Sequence, residues 1–259
     1  MASESETRFI APEHPHFSGF IFKIQANMDP KHRDRIAFIR VVSGRFEREM
    51  TVVHVQSGKR IRLSSAQKLF GQQRETVEEG EAGDVIGIIG HDMLQIGDTL
   101  ADDRSVQFNE IPQFTPEVFA YLTNPQPGNS KKYRLGVDQL LKEGVVQQME
   151  VGAGQVRTPI LAAVGPLQFE VVQYRLKSEY GAESRLEMAR WQIVRWWRKN
   201  GAAEDWLPDL LSDSSHGFDH RGRRVIFFAD EWAVRNFQKR LPDVEIAALP
   251  FEELASTDA

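Results

Sequence analysis

The chain has 259 residues, 41% apolar and 27% charged, a composition that folds into one large or two smaller globular units and leaves no case for wholesale disorder. It has no cysteine and a formal net charge of −5, which excludes disulfides, thiolate chemistry and Cys-ligated zinc, as well as coating of nucleic acid through bulk positive charge. No apolar run approaches the roughly 18 residues of a membrane span and Met1 to Phe9 lacks the order of a secretory signal, so a cytoplasmic location with no membrane partner is expected.

Residues 1–16 carry two prolines and two histidines without apolar periodicity and read as a flexible leader. From Phe17 the period becomes two. Phe20, Phe22 and Ile24 alternate with Ile21, Lys23 and Gln25, predicting a strand buried on one side. Asn27 to Gly44, "NMDPKHRDRIAFIRVVSG", then sets Lys31, His32, Arg33 and Arg35 in a turn ahead of an apolar strand over Ile36 to Val42. That turn is either a grip on a nucleic acid or an ordinary solvated connection, and its acidic neighbours Asp29 and Asp34 favour the second reading. Met50 to Val55 and Lys59 to Leu63 flank Gln56-Ser57-Gly58 as hairpin arms. Gly83-Asp84 and Gly97-Asp98 each open a further strand. With no helical stripe before about residue 108, residues 17–108 are expected to form a small closed β-barrel domain.

Residues 109–259 follow a different grammar. A strand over Val118 to Leu122 precedes the breaker Asn124-Pro125-Gln126-Pro127-Gly128, and Tyr133, Val137, Leu140 and Leu141 then fall at helical spacing before Gly144. Val145 to Val151 and Arg157 to Val164 read as strands joined by the turn "GAGQ". Gly165-Pro166 opens a second helix, with Leu167, Val171 and Tyr174 on one spacing and Phe169, Val172 and Leu176 beside them, closed by Gly181. Glu183 to Trp197 reads as mostly strand-like and counts as one strand in the order that follows. The order strand, helix, strand, strand, helix, strand is that of an α+β ferredoxin-like sandwich. A strand over Val225 to Ala229, a helix capped by Asp230 and a strand over Val244 to Leu249 complete the chain.

Chemistry is sparse. No phosphate-binding loop occurs, and "GAGQVR" at Gly152 lacks the third glycine and the helix that a dinucleotide site requires. His216 and His220, beside Asp213 and Asp219, have a spacing that serves a metal only on a helix, whereas "SDSSHGFDHRG" reads as a loop, so no metal site is expected. No nucleophile elbow or triad order is present and the paired carboxylates fall in solvated turns, so no catalytic residue is assigned. Trp191, Trp196 and Trp197 with Arg190, Arg195 and Arg198 are either core or an aromatic interface. In a continuous strand Trp191 and Trp197 share one face and Trp196 takes the other, which favours packing first and a partner-binding surface second.

Three strings carry a family resemblance: "GFIFKIQANMDPKHRDRIAFIRVVSG", "EAGDVIGIIG" followed by "IGDTL", and "AAVGPLQFEVVQYRLKSEYGAE". The first two look like the β-barrel second domain of the translational GTPases, and the third resembles the strand-to-helix junction of the next domain in elongation factor G. The forms "KIQANMDPKHRDR" and "VGPLQFEVVQYRLKSEY" closely resemble the bacterial class II peptide chain release factors, from about Phe17 to Trp191. The resemblance implies the second and third domains of such a factor without its GTPase domain, so that this chain itself carries no cofactor and no enzyme activity. The Met-Ala-Ser start and short leader suggest an engineered fragment, with a naturally shortened gene as the alternative. In the intact relative, GTP and Mg would serve the GTPase domain, which removes class I release factors from the ribosome after peptide release. The resemblance further implies that one barrel rim faces small-subunit ribosomal RNA, with Lys31, His32, Arg33 and Arg35 meeting phosphates, a contact that positions without reading sequence. The implied partners are the ribosome, the factor's own GTPase domain and, indirectly, the class I factors.

Overall fold

The fold is that of a computed structural model, which describes residues 10–26, 35–70, 73–108, 114–154, 156–203 and 205–251. The chain divides into two compact units, Met1–Ile111 and Pro112–Ala259.

The first unit contains β1 (Ser18–Ala26), β2 (Arg35–Ser43), β3 (Arg45–Glu47), β4 (Thr51–His54), β5 (Lys59–Arg62), β6 (Ala66–Phe70), β7 (Gln73–Thr76), β8 (Glu79–Glu81), β9 (Val85–Ile89) and β10 (Thr99–Ala101). Eight of these form one antiparallel sheet in the order β5-β4-β10-β1-β2-β9-β6-β7, while β3 and β8 pair as a separate ribbon. Side chains from one face of the sheet, among them Ile21, Ile39, Val52, Ile86, Ile88 and Leu100, converge on Phe46 of the ribbon in a single core. A sheet whose face closes on one cluster must curl, which gives the barrel architecture. The expectation of full closure is corrected: among the described residues the end strands β5 and β7 are not hydrogen-bonded to each other.

Simple alternation in β1 fails for a local reason. The ladder with β2 pairs Ile21 with Ile39 and then Lys23 with Phe38, so Phe22 is an extra residue on one strand, a β-bulge. The bulge shifts the phase, so the buried residues are Ile21 and Ile24, one from each expected set, while Phe22 is exposed. The two Gly-Asp entries hold as turns, with φ of +100° at Gly83 and +95° at Gly97, conformations that glycine adopts without steric cost.

The second unit contains β11 (Val118–Thr123), α1 (Ser130–Lys142), β12 (Gln147–Ala153), β13 (Val156–Ala163), α2 (Leu167–Tyr180), β14 (Arg185–Met188), β15 (Ile193–Arg198), β16 (Ser215–Asp219), β17 (Arg224–Phe228), α3 (Glu231–Arg240) and β18 (Glu245–Ala247). Its sheet runs β14-β11-β13-β12-β16-β17-β15-β18, with the split βαβ order in its first four strands and four more beyond. Phe169, Val172 and Leu176 of α2 and Leu140 of α1 pack on Ala120, Leu161 and Ala163. Ala233, Val234 and Phe237 of α3 pack on Ile226 and Phe228 of β17. Residues alternating with these, Phe119, Ile160, Ala162, Val225 and Phe227, build a separate core on the opposite face of the sheet with Trp191 and Trp196.

Helix ends follow their chemistry. Gly144 (φ +71°) and Gly181 (φ +60°) take left-handed conformations, and the Asp230 side chain accepts the Ala233 N–H of α3 at 2.9 Å. Before α2, Gln168 Oε1 accepts the N–H groups of Val164 and Gly165. The expected Leu167, Val171 and Tyr174 stripe of α2 faces outward, while Phe169, Val172 and Leu176 are buried.

Two expectations are overturned here. Glu183 to Trp197 is not one strand: Ala189 to Gln192 interrupts it, and β14 and β15 lie far apart in the sheet. The segment around His216 is not a loop, because β16 is an interior strand paired with both β12 and β17.

Candidate functional site

The first candidate surface lies at the end of the β1–β2 hairpin. Ala26 and Arg35 face each other as the last ladder pair. Lys31, His32 and Arg33 fall between them, outside the described residues. Arg35 is described, and it does not present its charge to solvent. It is 8% exposed, and its Nη1 and Nη2 donate to the backbone carbonyls of Asp92 and Leu94. These bonds tie the start of β2 to the segment between β9 and β10, so Arg35 is an anchor of the hairpin rather than a phosphate contact, a correction to its expected role.

Nearby strands hold a polar cluster that no sequence motif marks. His54 Nε2 lies 2.8 Å from Asp98 Oδ2, and His54 Nδ1 shares a 2.6 Å hydrogen bond with Ser57 Oγ. Asp98 Oδ2 also accepts the Gln95 N–H at 2.6 Å. Gln56 bridges the same elements, accepting the Thr99 N–H and donating to the Gly97 carbonyl. The order serine, histidine, aspartate resembles a catalytic relay, but both ring nitrogens serve to fasten the β4–β5 turn to the turn before β10. No sequence spacing announces it, because His54 and Asp98 meet only after β4 pairs with β10.

The tryptophan region is core. Trp191, Trp196 and Trp197 are 7%, 6% and 5% exposed, so none offers a ring to a partner, and the interface reading of Trp191, Trp196 and Trp197 is withdrawn. The break between β14 and β15 resets the strand phase. Trp191 and Trp196 therefore share the core around Phe227, while Trp197 lies in the other with its ring 5.8 Å from that of Trp206. Arg190 remains exposed, its guanidinium 5.4 Å from the Trp191 ring centroid.

Asp219 organises the end of β16. Its Oδ2 accepts from Trp196 Nε1 at 2.8 Å and Arg223 Nε at 2.6 Å, and its Oδ1 accepts the N–H groups of Arg221 and Arg223, each at 2.9 Å. Burial pushes its pKa up, but the bonds from Trp196 and Arg223 outweigh that and hold it below the ordinary carboxylate value. His216 is held below the usual histidine value by burial, opposed by a hydrogen bond to the Pro208 backbone. Among the described residues no group of acidic or histidine side chains has metal-site geometry, and no helix is long and apolar enough to cross a membrane.

Comparison with known proteins matches these units. Residues 16–103 fit the model of elongation factor G domain 2, and residues 108–238 fit that of the C-terminal domain of the class II release factor RF3. A crystal structure of a Thermus thermophilus protein shares the fold with a TM-score of 0.56 at 20% identity, over 80% of this chain and 32% of that one. Proteins named peptide chain release factor 3 are similar throughout: 46% identical in Synechococcus elongatus over 96% of this chain and 44% of the relative, and 48% in Gloeobacter violaceus over 97% and 46%. The chain thus spans less than half the length of these relatives, and it belongs to the class II release factor family.

Proposed function

We propose that this chain is the ribosome-binding portion of a class II peptide chain release factor acting in translation termination in the cytoplasm. The observation that carries the reading is the identity of 46 to 48% with relatives named peptide chain release factor 3 along 96 to 97% of this chain. In that reading the portion of the relatives that this chain does not span supplies GTP hydrolysis with Mg. The two units relay its state to the ribosome, and class I release factors are released and recycled as the outcome.

The docking surface is the β1–β2 connection, with Lys31 and Arg33 meeting small-subunit RNA phosphates and His32 adding a hydrogen bond. Arg35 holds the strand end that follows this connection to the carbonyls of Asp92 and Leu94. Phosphate contacts of this kind fix position and are salt-sensitive. The test is co-sedimentation of the chain with ribosomes across a salt series, beside Lys31→Glu/Arg33→Glu. Salt-sensitive binding that the double variant loses supports the reading, whereas equal binding by both proteins sinks it.

A further inference from the structure

The exposed tryptophan of the second unit is not in the cluster that the sequence draws attention to; Phe114 and Tyr174 are exposed as well, but of these three only Trp232 shares a helix face with cations that have no ion-pair partner among the described residues. Trp232, on the first turn of α3, is 56% exposed. The helix buries Ala233, Val234 and Phe237, and at 100° per residue the pole opposite that stripe falls on Trp232, Arg235 and Lys239. At a rise of 1.5 Å per residue, Arg235 lies about 4.5 Å and Lys239 about 10.5 Å along the axis from Trp232.

Among the described residues neither Arg235 nor Lys239 has an ion-pair partner, whereas the charges around them are engaged: Glu231 with Arg195, Arg240 with Asp209, and Asp230 as the helix cap. More than half of this indole is left in water beside two such cations, and it takes no part in the core that the buried side of the same helix builds.

We propose that the outward face of α3 is a docking surface for single-stranded RNA, with the Trp232 ring stacking on an unpaired base and Arg235 and Lys239 holding the adjacent phosphates. A protein partner is the less suitable occupant. Protein hot spots cluster several anchors in a well-packed, desolvated pocket, and this pole is a convex helix face that carries Trp232 alone among Glu231, Arg235, Gln238 and Lys239. Stacking with charge alongside is the recognition mode of unpaired nucleic acid. The inference rests on the ribosome-docking reading only for the source of the RNA, a looped or bulged ribosomal segment.

The test uses the full chain and a fluorescein-labelled oligoadenylate of about 12 nucleotides, with the same strand in a duplex as the second arm. The expected result is binding in the micromolar range, stronger for the single strand. Trp232→Ala should weaken it about 5- to 100-fold, Trp232→Phe should retain most of it, and Arg235→Glu/Lys239→Glu should lower the salt slope by about 1.4. The fluorescence of the four remaining tryptophans and the far-UV dichroism check that the variants are folded. No binding by the unaltered chain up to about 100 μM, or equal binding by Trp232→Ala, overturns the proposal. So does a Trp232→Ala variant that keeps oligonucleotide affinity while losing ribosomes, an outcome that would assign the face to a protein. Lys31→Glu/Arg33→Glu should leave the Trp232-dependent affinity in place. Failure of the hairpin reading therefore registers in ribosome sedimentation, and failure of the α3 reading in the oligonucleotide titration.

Discussion

His54 and Asp98 meet 2.8 Å apart in the interior of the first unit, at 5% and 8% exposure. One stands at the end of β4 and the other immediately before β10, so the contact adds a side-chain link between the turns that flank two directly paired strands. Asp98 also accepts the Gln95 N–H and His54 also bonds Ser57 Oγ, so the contact is one link of a buried polar network, and removing either side chain leaves buried polar atoms short of a partner.

Asp98→Ala should therefore destabilise the first unit by about 1 to 3 kcal/mol, since the buried Gln95 N–H loses its acceptor and the His54 ring loses its close contact. All five tryptophans lie in the second unit. The expected signature is an earlier urea transition in far-UV dichroism with the tryptophan transition unmoved. Coincident, unshifted transitions by both probes would show that the contact adds nothing.

Arg35 and its neighbours Lys31 and Arg33 should separate cleanly in experiment. Arg35→Ala removes two charge-assisted bonds to the Asp92 and Leu94 carbonyls, and about 2 to 3 kcal/mol of stability should go with them. Lys31→Glu/Arg33→Glu should lower ribosome affinity while leaving the melting temperature within a degree or two. A stable Arg35→Ala protein that had lost ribosome binding would return Arg35 to the contact surface.

Much of this architecture is legible in the sequence, and the failures share a physical cause. Period-two and helical patterns locate β2, the β4–β5 hairpin, α1, α2 and α3 because each buries a face at its own repeat. Patterns fail where a short irregularity resets the phase: Phe22 bulges out of β1, and the break at Ala189 to Gln192 sends β14 and β15 to distant places in the sheet. The site is less legible than the fold. The charge of Arg35 suggests a phosphate and its geometry supplies two carbonyls, and the His54–Asp98 contact depends on long-range pairing that no local spacing encodes.

Asp219 should give the second unit a pH-dependent stability of definite sign. Its folded pKa lies below the ordinary 3.8 because hydrogen bonds from Trp196 and Arg223 outweigh the opposing effect of burial. Its contribution is then fully present above the unfolded pKa and disappears as pH falls through the folded one. Asp219→Asn should lower stability by about 2 kcal/mol at neutral pH and flatten the loss of stability below about pH 4, read from urea midpoints by tryptophan fluorescence. An unchanged acid limb would assign that titration to other carboxylates.

Gly217 carries the sharpest test of the second sheet. As a loop residue it would tolerate alanine, but in β16 it pairs with Val151 on one side and Val225 on the other. A β-carbon there would lie 2.4 Å from the Glu150 carbonyl oxygen and 2.4 Å from the Phe227 ring. Neither neighbour is a free side-chain tip: the carbonyl belongs to the paired strand β12, and the ring lies in the core between Phe119 and Trp191. Glycine in a strand interior is ordinarily a weakness, kept where another backbone must approach closely. Gly217→Ala should thus cost at least about 2 kcal/mol by overpacking, with an early tryptophan transition, because the strain falls on the ring that Trp191 packs against. Wild-type stability in this variant would mean that β16 does not occupy the interior of the sheet, and the extension of the split βαβ fold beyond its fourth strand would have to be redrawn.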